Sequence, residues 1–104
     1  MDWTRYTVGA RVRTTDLGVD EPVGDRLGPD AVQSAGVVLV PALLVDRQGN
    51  RLGRGRGYYD RALASVTART VAIIFDDELV DDLPVEGHDR RMSTVLRPAG
   101  LLDF

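Results

Sequence analysis

The chain has 104 residues, enough for one domain around one modest core. Hydrophobic residues make up 43% and charged residues 28%, a globular composition that excludes disorder, and the absence of cysteine excludes disulfides and thiolate metal sites while fitting the cytosol. The net charge of −3 hides two unlike stretches: Asp46 to Arg61 holds five arginines against two aspartates, and Asp76 to Asp89 holds seven carboxylates and no arginine.

A basic stretch paired with an acidic one suits a phosphate anion with a divalent cation. A nucleic-acid surface would favour a broad basic face, so no nucleic-acid partner is expected. All 13 basic residues are arginine, so this chain supplies no lysine chemistry. No apolar run approaches the ~20 residues of a membrane-spanning helix, and the first residues do not read as a signal peptide.

Residues 1 to 35 are weakly patterned. Trp3, Tyr6 and Val8 are anchoring side chains, while Gly18, Pro22, Gly24, Gly28 and Pro29 break the rest into turns and loop. Leu27 to Val32 suits a short helical turn with Pro29 in its first turn, where a missing N–H costs little. So long a sparse beginning suggests that the N-terminal part of a larger domain is absent. Val37 to Val45 is apolar and β-branched without polar alternation, the pattern of a strand buried on both faces of a parallel sheet. Pro41 within it cannot donate to a ladder and predicts a bulge or an early end to pairing.

Asp46-Arg47-Gln48-Gly49-Asn50 is a turn-forming cluster, followed by the glycine-rich loop Arg51 to Gly57. Tyr59, Ala62, Leu63 and Val66 recur at helical spacing and predict an amphipathic helix over 58–68. Thr70 to Phe75 is a second apolar strand. Asp76 to Asp82 reads as an acidic connection with room for one helical turn, 83–89 as loop, and Met92 to Leu96 as a third strand. Leu101 to Phe104 reads as an apolar tail. Strands alternating with helix make the fold class α/β, with at least three parallel or mixed strands.

The candidate chemistry centres on the loop. Gly53, Gly55 and Gly57 alternate with Arg54 and Arg56, so backbone N–H groups can approach an anion while guanidinium groups chelate its oxygens. Neither the lysine-containing phosphate loop nor the G-x-G-x-x-G dinucleotide fingerprint is present, and a solvated surface turn is the competing reading. Asp60 at the helix start is either a carboxylate favoured by the helix dipole or a Mg²⁺ ligand beside bound phosphates. Asp89 is either a second such ligand or a turn residue. His88, the only histidine, is either an acid–base group or a structural side chain. Tyr59 falls on the apolar stripe, and Tyr58 is placed to line a pocket.

Val40 to Asp46 and then Arg51-Leu52-Gly53-Arg54-Gly55-Arg56-Gly57-Tyr58-Tyr59-Asp60-Arg61 closely resemble the signature of the 5-formyltetrahydrofolate cyclo-ligase family. Leu83-Pro84, His88-Asp89 and Val95 also fall where that family has a proline, a His-Asp or similar pair and a final strand, and Glu21-Pro22 and Leu27-Gly28 resemble its less regular middle region. The resemblance covers the whole chain and corresponds to the C-terminal half to two thirds of the family's usual length. It implies that Arg51, Leu52, Gly53, Arg54, Gly55, Arg56, Gly57, Tyr58 and Tyr59 form the ATP loop, with Arg54 and Arg56 acting in catalysis and Arg54 to Tyr58 near the folate. Asp60 and Asp89 match positions that bind Mg²⁺. The implied partners are ATP and a folate substrate. The implied fold is a three-layer α/β one, a mostly parallel sheet flanked by helices. The family's N-terminal helix and strands, which carry a basic residue on the ATP phosphates and part of the folate pocket, precede the matched region. Their loss should leave a sheet edge and an apolar surface exposed.

Overall fold

In a computed structural model, residues 3–9, 12–16, 18, 20–53, 58–64, 66–84 and 90–104 are described, Asp20, Tyr58 and Asp60 by their backbone alone. The principal sheet has four strands in the order β3 (Val37–Pro41), β6 (Arg69–Ile73), β8 (Thr94–Arg97) and β9 (Gly100–Asp103). The first three run parallel and the last is antiparallel, so the sheet is mixed. A small sheet of β5 (Arg51–Leu52), β4 (Leu44–Asp46) and β7 (Leu79–Val80) stands beside it, and β1 (Val12–Thr14) pairs with β2 (Asp20–Pro22) in a separate hairpin. The one α-helix among the described residues, α1, spans Tyr58–Leu63.

Pro41 has the effect its chemistry requires. The apolar run that reads as one strand divides after it, and its two parts enter different sheets: Val37–Pro41 joins the large sheet and Leu44–Asp46 the small one. Pro29 likewise opens a 3-10 helical turn at Pro29–Ser34, where its fixed φ suits a helix start.

Three other segments differ from their sequence patterns. The helix stops at Leu63 instead of continuing to residue 68. Its end is closed from outside, because the Arg90 guanidinium donates to the carbonyls of both Leu63 and Val66. The acidic connection contains the expected helical turn, Asp76–Glu78, but then forms β7 beside β4. The C-terminal residues form β9, not a loose tail. The Pro98-Ala99 turn folds them back on β8, with Val95 opposite Leu102 and Leu96 opposite Leu101.

Alternate residues of β3, β6 and β8 turn to opposite faces of the sheet. On the inner face Val38, Val40, Ala72 and Val95 pack with Val32 of the 3-10 turn, Leu63 of α1, Val66 and Met92 into one buried cluster. Trp3 and Tyr59 border that cluster, and α1 lies against the 3-10 turn. On the outer face Val37, Leu39, Ile73, Leu96 and Leu101 are exposed. The edge strands are β3 and β9, whose described pairings are to β6 and to β8 alone.

Candidate functional site

The site is built outward from β4. Its last residue, Asp46, is fully buried, yet its carboxylate accepts four hydrogen bonds. Oδ1 takes the backbone N–H groups of Gln48 and Asn50, each at 2.9 Å. Oδ2 takes the Asn50 side-chain amide at 2.9 Å and the backbone N–H of Leu83 at 3.1 Å. Burial by itself would raise the pKa of Asp46. The bonds from the Asn50 side chain and from the Asn50, Gln48 and Leu83 backbones outweigh it and hold the group below its ordinary value, because all four favour the ionised form.

Gly49 completes the turn at φ 88°, a conformation glycine adopts without strain. Its carbonyl accepts the N–H of Met92 at 2.7 Å. A Cβ at this position would lie 2.7 Å from the Met92 carbonyl oxygen, so the returning chain passes too close for any side chain. The turn thus brings β4 back into β5, with Leu44 opposite Leu52 and Val45 opposite Arg51.

Arg51 and Leu52 are the first residues of the glycine-rich loop. Arg51 Nη1 donates to the Pro41 carbonyl at 3.1 Å, and its guanidinium carbon lies 5.3 Å from the Tyr59 ring centroid, within cation–π range. This arginine therefore ties the entry of the loop to the end of β3 and to the first turn of α1. Leu52 is exposed. Gly53 lies against the same arginine, since a Cβ there would come within 2.6 Å of Arg51 Nη1. Tyr59 packs at the border of the core, as its place on the apolar stripe predicts.

The remaining expected site residues divide as follows. Arg54, Gly55, Arg56 and Gly57 lie outside the described residues, as do His88 and Asp89. Tyr58 and Asp60 are placed in the first turn of α1 by their backbones. Among the described residues no group of three or more acidic or histidine side chains is gathered to hold a metal. Arg90 bonds the carbonyls of Leu63, at the end of α1, and of Val66 just beyond it. A cleft of about 440 Å³ opens at the carboxyl ends of β6 and β8, lined by Ala42, Phe75, Glu78 and Arg97 among others. This is the end of a parallel sheet at which ligands commonly sit. No helix among the described residues is long and apolar enough to cross a membrane.

Sequence patterns did not assign roles to Asp46, Asn50 and Arg90. An aspartate closing an apolar strand before a Gly-Asn pair is the pattern of a side-chain-capped turn, and it marks the first two. No local pattern marks Arg90, whose acceptors lie more than twenty residues earlier.

The model of the 5-formyltetrahydrofolate cyclo-ligase family matches residues 1–98. The chain belongs to that family. It is 46% identical over 100 residues to the 5-formyltetrahydrofolate cyclo-ligase of Mycolicibacterium smegmatis, a match covering 94% of this chain and 51% of the relative. The mouse 5-formyltetrahydrofolate cyclo-ligase is 32% identical over 107 residues, covering 92% and 53%. The solution structure of the Aquifex aeolicus 5,10-methenyltetrahydrofolate synthetase superposes with a TM-score of 0.69 at 29% identity, covering 88% of this chain and 46% of that one. The chain thus spans about half the length of these cyclo-ligase relatives. What it shares with the solved relative is the mixed α/β fold.

Proposed function

We propose that this chain carries the nucleotide-handling part of ATP- and Mg²⁺-dependent cyclisation of 5-formyltetrahydrofolate to 5,10-methenyltetrahydrofolate. The observation that supports this most directly is the anchoring of the arginine–glycine loop. Its entry is held by the buried Asp46 turn, by the Arg51–Pro41 bond and by Arg51 over Tyr59. Fixing where the loop begins limits the freedom of the N–H and guanidinium donors that follow, and electrostatic catalysis gains from donors held in place.

In the proposed reaction the formyl oxygen of the folate attacks the γ-phosphorus of ATP and ADP leaves. The folate N10 then attacks the activated formyl carbon, an N10 proton is lost and phosphate departs as the ring closes. Arg54 and Arg56 bind the phosphate oxygens and oppose charge spreading over the transferred group, and the loop glycines let the backbone approach. Arg51 orients the loop, Tyr58 lines the pocket and Tyr59 fixes α1 against the core. Two carboxylates and phosphate oxygens are a donor set that suits Mg²⁺, and Asp60 with Asp89 would hold it. The bound ion would supply positive charge at the phosphates.

Titration calorimetry with MgATP, run beside an assay of 5-formyltetrahydrofolate turnover, tests the proposal. Arg54→Ala is expected to weaken ATP binding by about 1.5–3 kcal/mol, the worth of a charge-assisted contact. Unchanged affinity would return the loop to a solvated surface turn. ATP binding without turnover would support a second reading, a non-catalytic Mg-ATP or folate-binding member of the family.

A further inference from the structure

The cleft at the carboxyl ends of β6 and β8 is lined by a cation that the fold leaves unused. Its volume of about 440 Å³ falls in the range of small-molecule sites, about 300–1,000 Å³. Ile73 and Leu96 line one part of it; they stand opposite in register on neighbouring strands, and both are exposed. Phe75 lines it too, and its ring is left largely in water at 70% exposure. Arg97, the last residue of β8, lines the same cleft. Its Nε–H is buried, and among the described residues no acceptor meets it. A buried donor left unpaired costs stability, more so when it is charged. Arg69, on the neighbouring strand, is by contrast taken up by Thr94 and Asp103. The rim of the cleft is held at two points. Asp76 Oδ1 accepts the Ala99 N–H at 3.1 Å and so ties the 3-10 turn Asp76–Glu78 to the turn that follows β8. Glu78 Oε1 accepts the Phe75 N–H at 2.7 Å.

We infer that this cleft is a binding site for a small aromatic monocarboxylate, its ring against Phe75, Ile73 and Leu96 and its carboxylate on the Arg97 guanidinium. The chemistry of each wall selects one part of that ligand. Exposed apolar side chains and an exposed ring gain from being covered by a flat ring. A guanidinium presents a planar fork of donors that matches a carboxylate, and a carboxylate oxygen there would meet the Nε–H that the fold leaves unpaired. The acidic turn limits the ligand to one negative charge. Glu78 lines the cleft and Asp76 and Asp77 precede it in the chain, so a phosphate or a dicarboxylate would bring like charges together. This ligand differs in kind from the nucleotide proposed for the glycine-rich loop, and the inference stands without that reading.

Benzoate is the probe, titrated into the full chain at neutral pH and followed by nitrogen-15 NMR of the backbone amides and of the Arg97 Nε–H. Saturable shifts are expected at Ile74, Phe75, Leu96 and Arg97, with the β1–β2 hairpin unmoved. Benzyl alcohol keeps the ring without the charge, and inorganic phosphate keeps charge without the ring. Each should bind at least about tenfold more weakly than benzoate, tenfold being the scale of one charge-assisted hydrogen bond. Arg97→Gln should lower benzoate affinity about tenfold, and Phe75→Ala about threefold through lost ring contact. Arg97→Lys keeps the charge but not the fork, and its affinity should fall between those of the original and Arg97→Gln. Should Arg97→Gln fail to fold, Arg97→Lys carries the same test, and the comparison of benzoate with benzyl alcohol needs no variant. Equal binding of those two compounds would overturn the inference. So would an unchanged affinity in Arg97→Gln, or the absence of saturable shifts in the unsubstituted chain. None of these outcomes bears on MgATP binding by the glycine-rich loop.

Discussion

The two faces of the four-stranded sheet are built from similar residues and have opposite fates. Val40 and Val95 on the inner face are 0% exposed, whereas Leu39 and Leu101 on the outer face are 59% and 68% exposed. Leu39 and Val40 are neighbours in the chain, and only the alternation of the strand separates them. The inner face is covered because α1 and the 3-10 turn bring Leu63 and Val32 onto it. The outer face carries the apolar character that a second covering layer would need, as strands of a parallel sheet usually do. Its polar end is self-contained: Thr94 donates to Asp103 at 2.7 Å, and the Arg69 guanidinium bonds both. Hydrophobicity marks a residue as fit for burial, and packing decides whether burial occurs.

The comparison breaks most readily with a charge. Val40→Asp places an unpaired carboxylate in a fully apolar site and is expected to cost more than ~4 kcal/mol, abolishing cooperative thermal unfolding. Leu39→Asp, one residue away, is expected to stay within about 0.5 kcal/mol of the original. Similar melting curves for the two would mean that the outer face is covered in solution.

Truncation sharpens the same contrast on a smaller scale. Val40→Ala should cost about 2 kcal/mol from lost burial and the cavity left behind. Leu39→Ala should cost less than ~1 kcal/mol, since most of its surface is already in water. Denaturation midpoints in urea measure both.

Acid titration probes the buried polar turn against the buried apolar face. The pKa of Asp46 is lower in the folded chain than in the unfolded one, so its ionised form is favoured by folding. That contribution is whole above the ordinary carboxylate value of ~3.9 and is lost as pH falls through the folded value. Asp103 is displaced in the same direction, first by the hydroxyl of Thr94 and then by Arg69. The fall of stability with acid should therefore be shallower in Asp46→Asn than in the original chain, and unaltered in Val40→Ala. Urea midpoints taken across the acid range would show it; parallel profiles would remove the linkage.

The smallest expected effect is at the surface. Leu101→Lys should leave stability within about 0.5 kcal/mol while lowering binding of a hydrophobic dye, because it interrupts the exposed apolar patch. Dye fluorescence unchanged by the substitution would show that the patch lies elsewhere.

Much of the fold was legible in the sequence. Val37 to Pro41, Thr70 to Ile73 and Thr94 to Leu96 carry strand patterns and are strands, and Pro29 and Pro41 act where their chemistry predicts. The short strands were not legible. β7 has two residues and sits in an acidic stretch, so its only support is pairing with β4. β9 lies in what reads as a tail, and it is defined by its register against β8. Of the site, the turn at 46–50 and the helix opening at Tyr58 were visible, and so was the place of Tyr59 at the core. The role of Arg51 as a tether between Pro41 and Tyr59 was hidden among five arginines that look alike in one dimension.

By itself the sequence determined the class of fold, the family and the composition of the loop, because residue type and spacing are local quantities that a chain carries whether or not it is folded. Tertiary structure decided which apolar residues are hidden, where the helix stops and which donors a buried carboxylate gathers. Those outcomes depend on groups brought together from 24 to 37 residues apart, as Arg90 is to Val66 and Leu83 to Asp46. A hydrogen bond at that separation exists only once the intervening chain has closed around it, and no pattern within either segment records it.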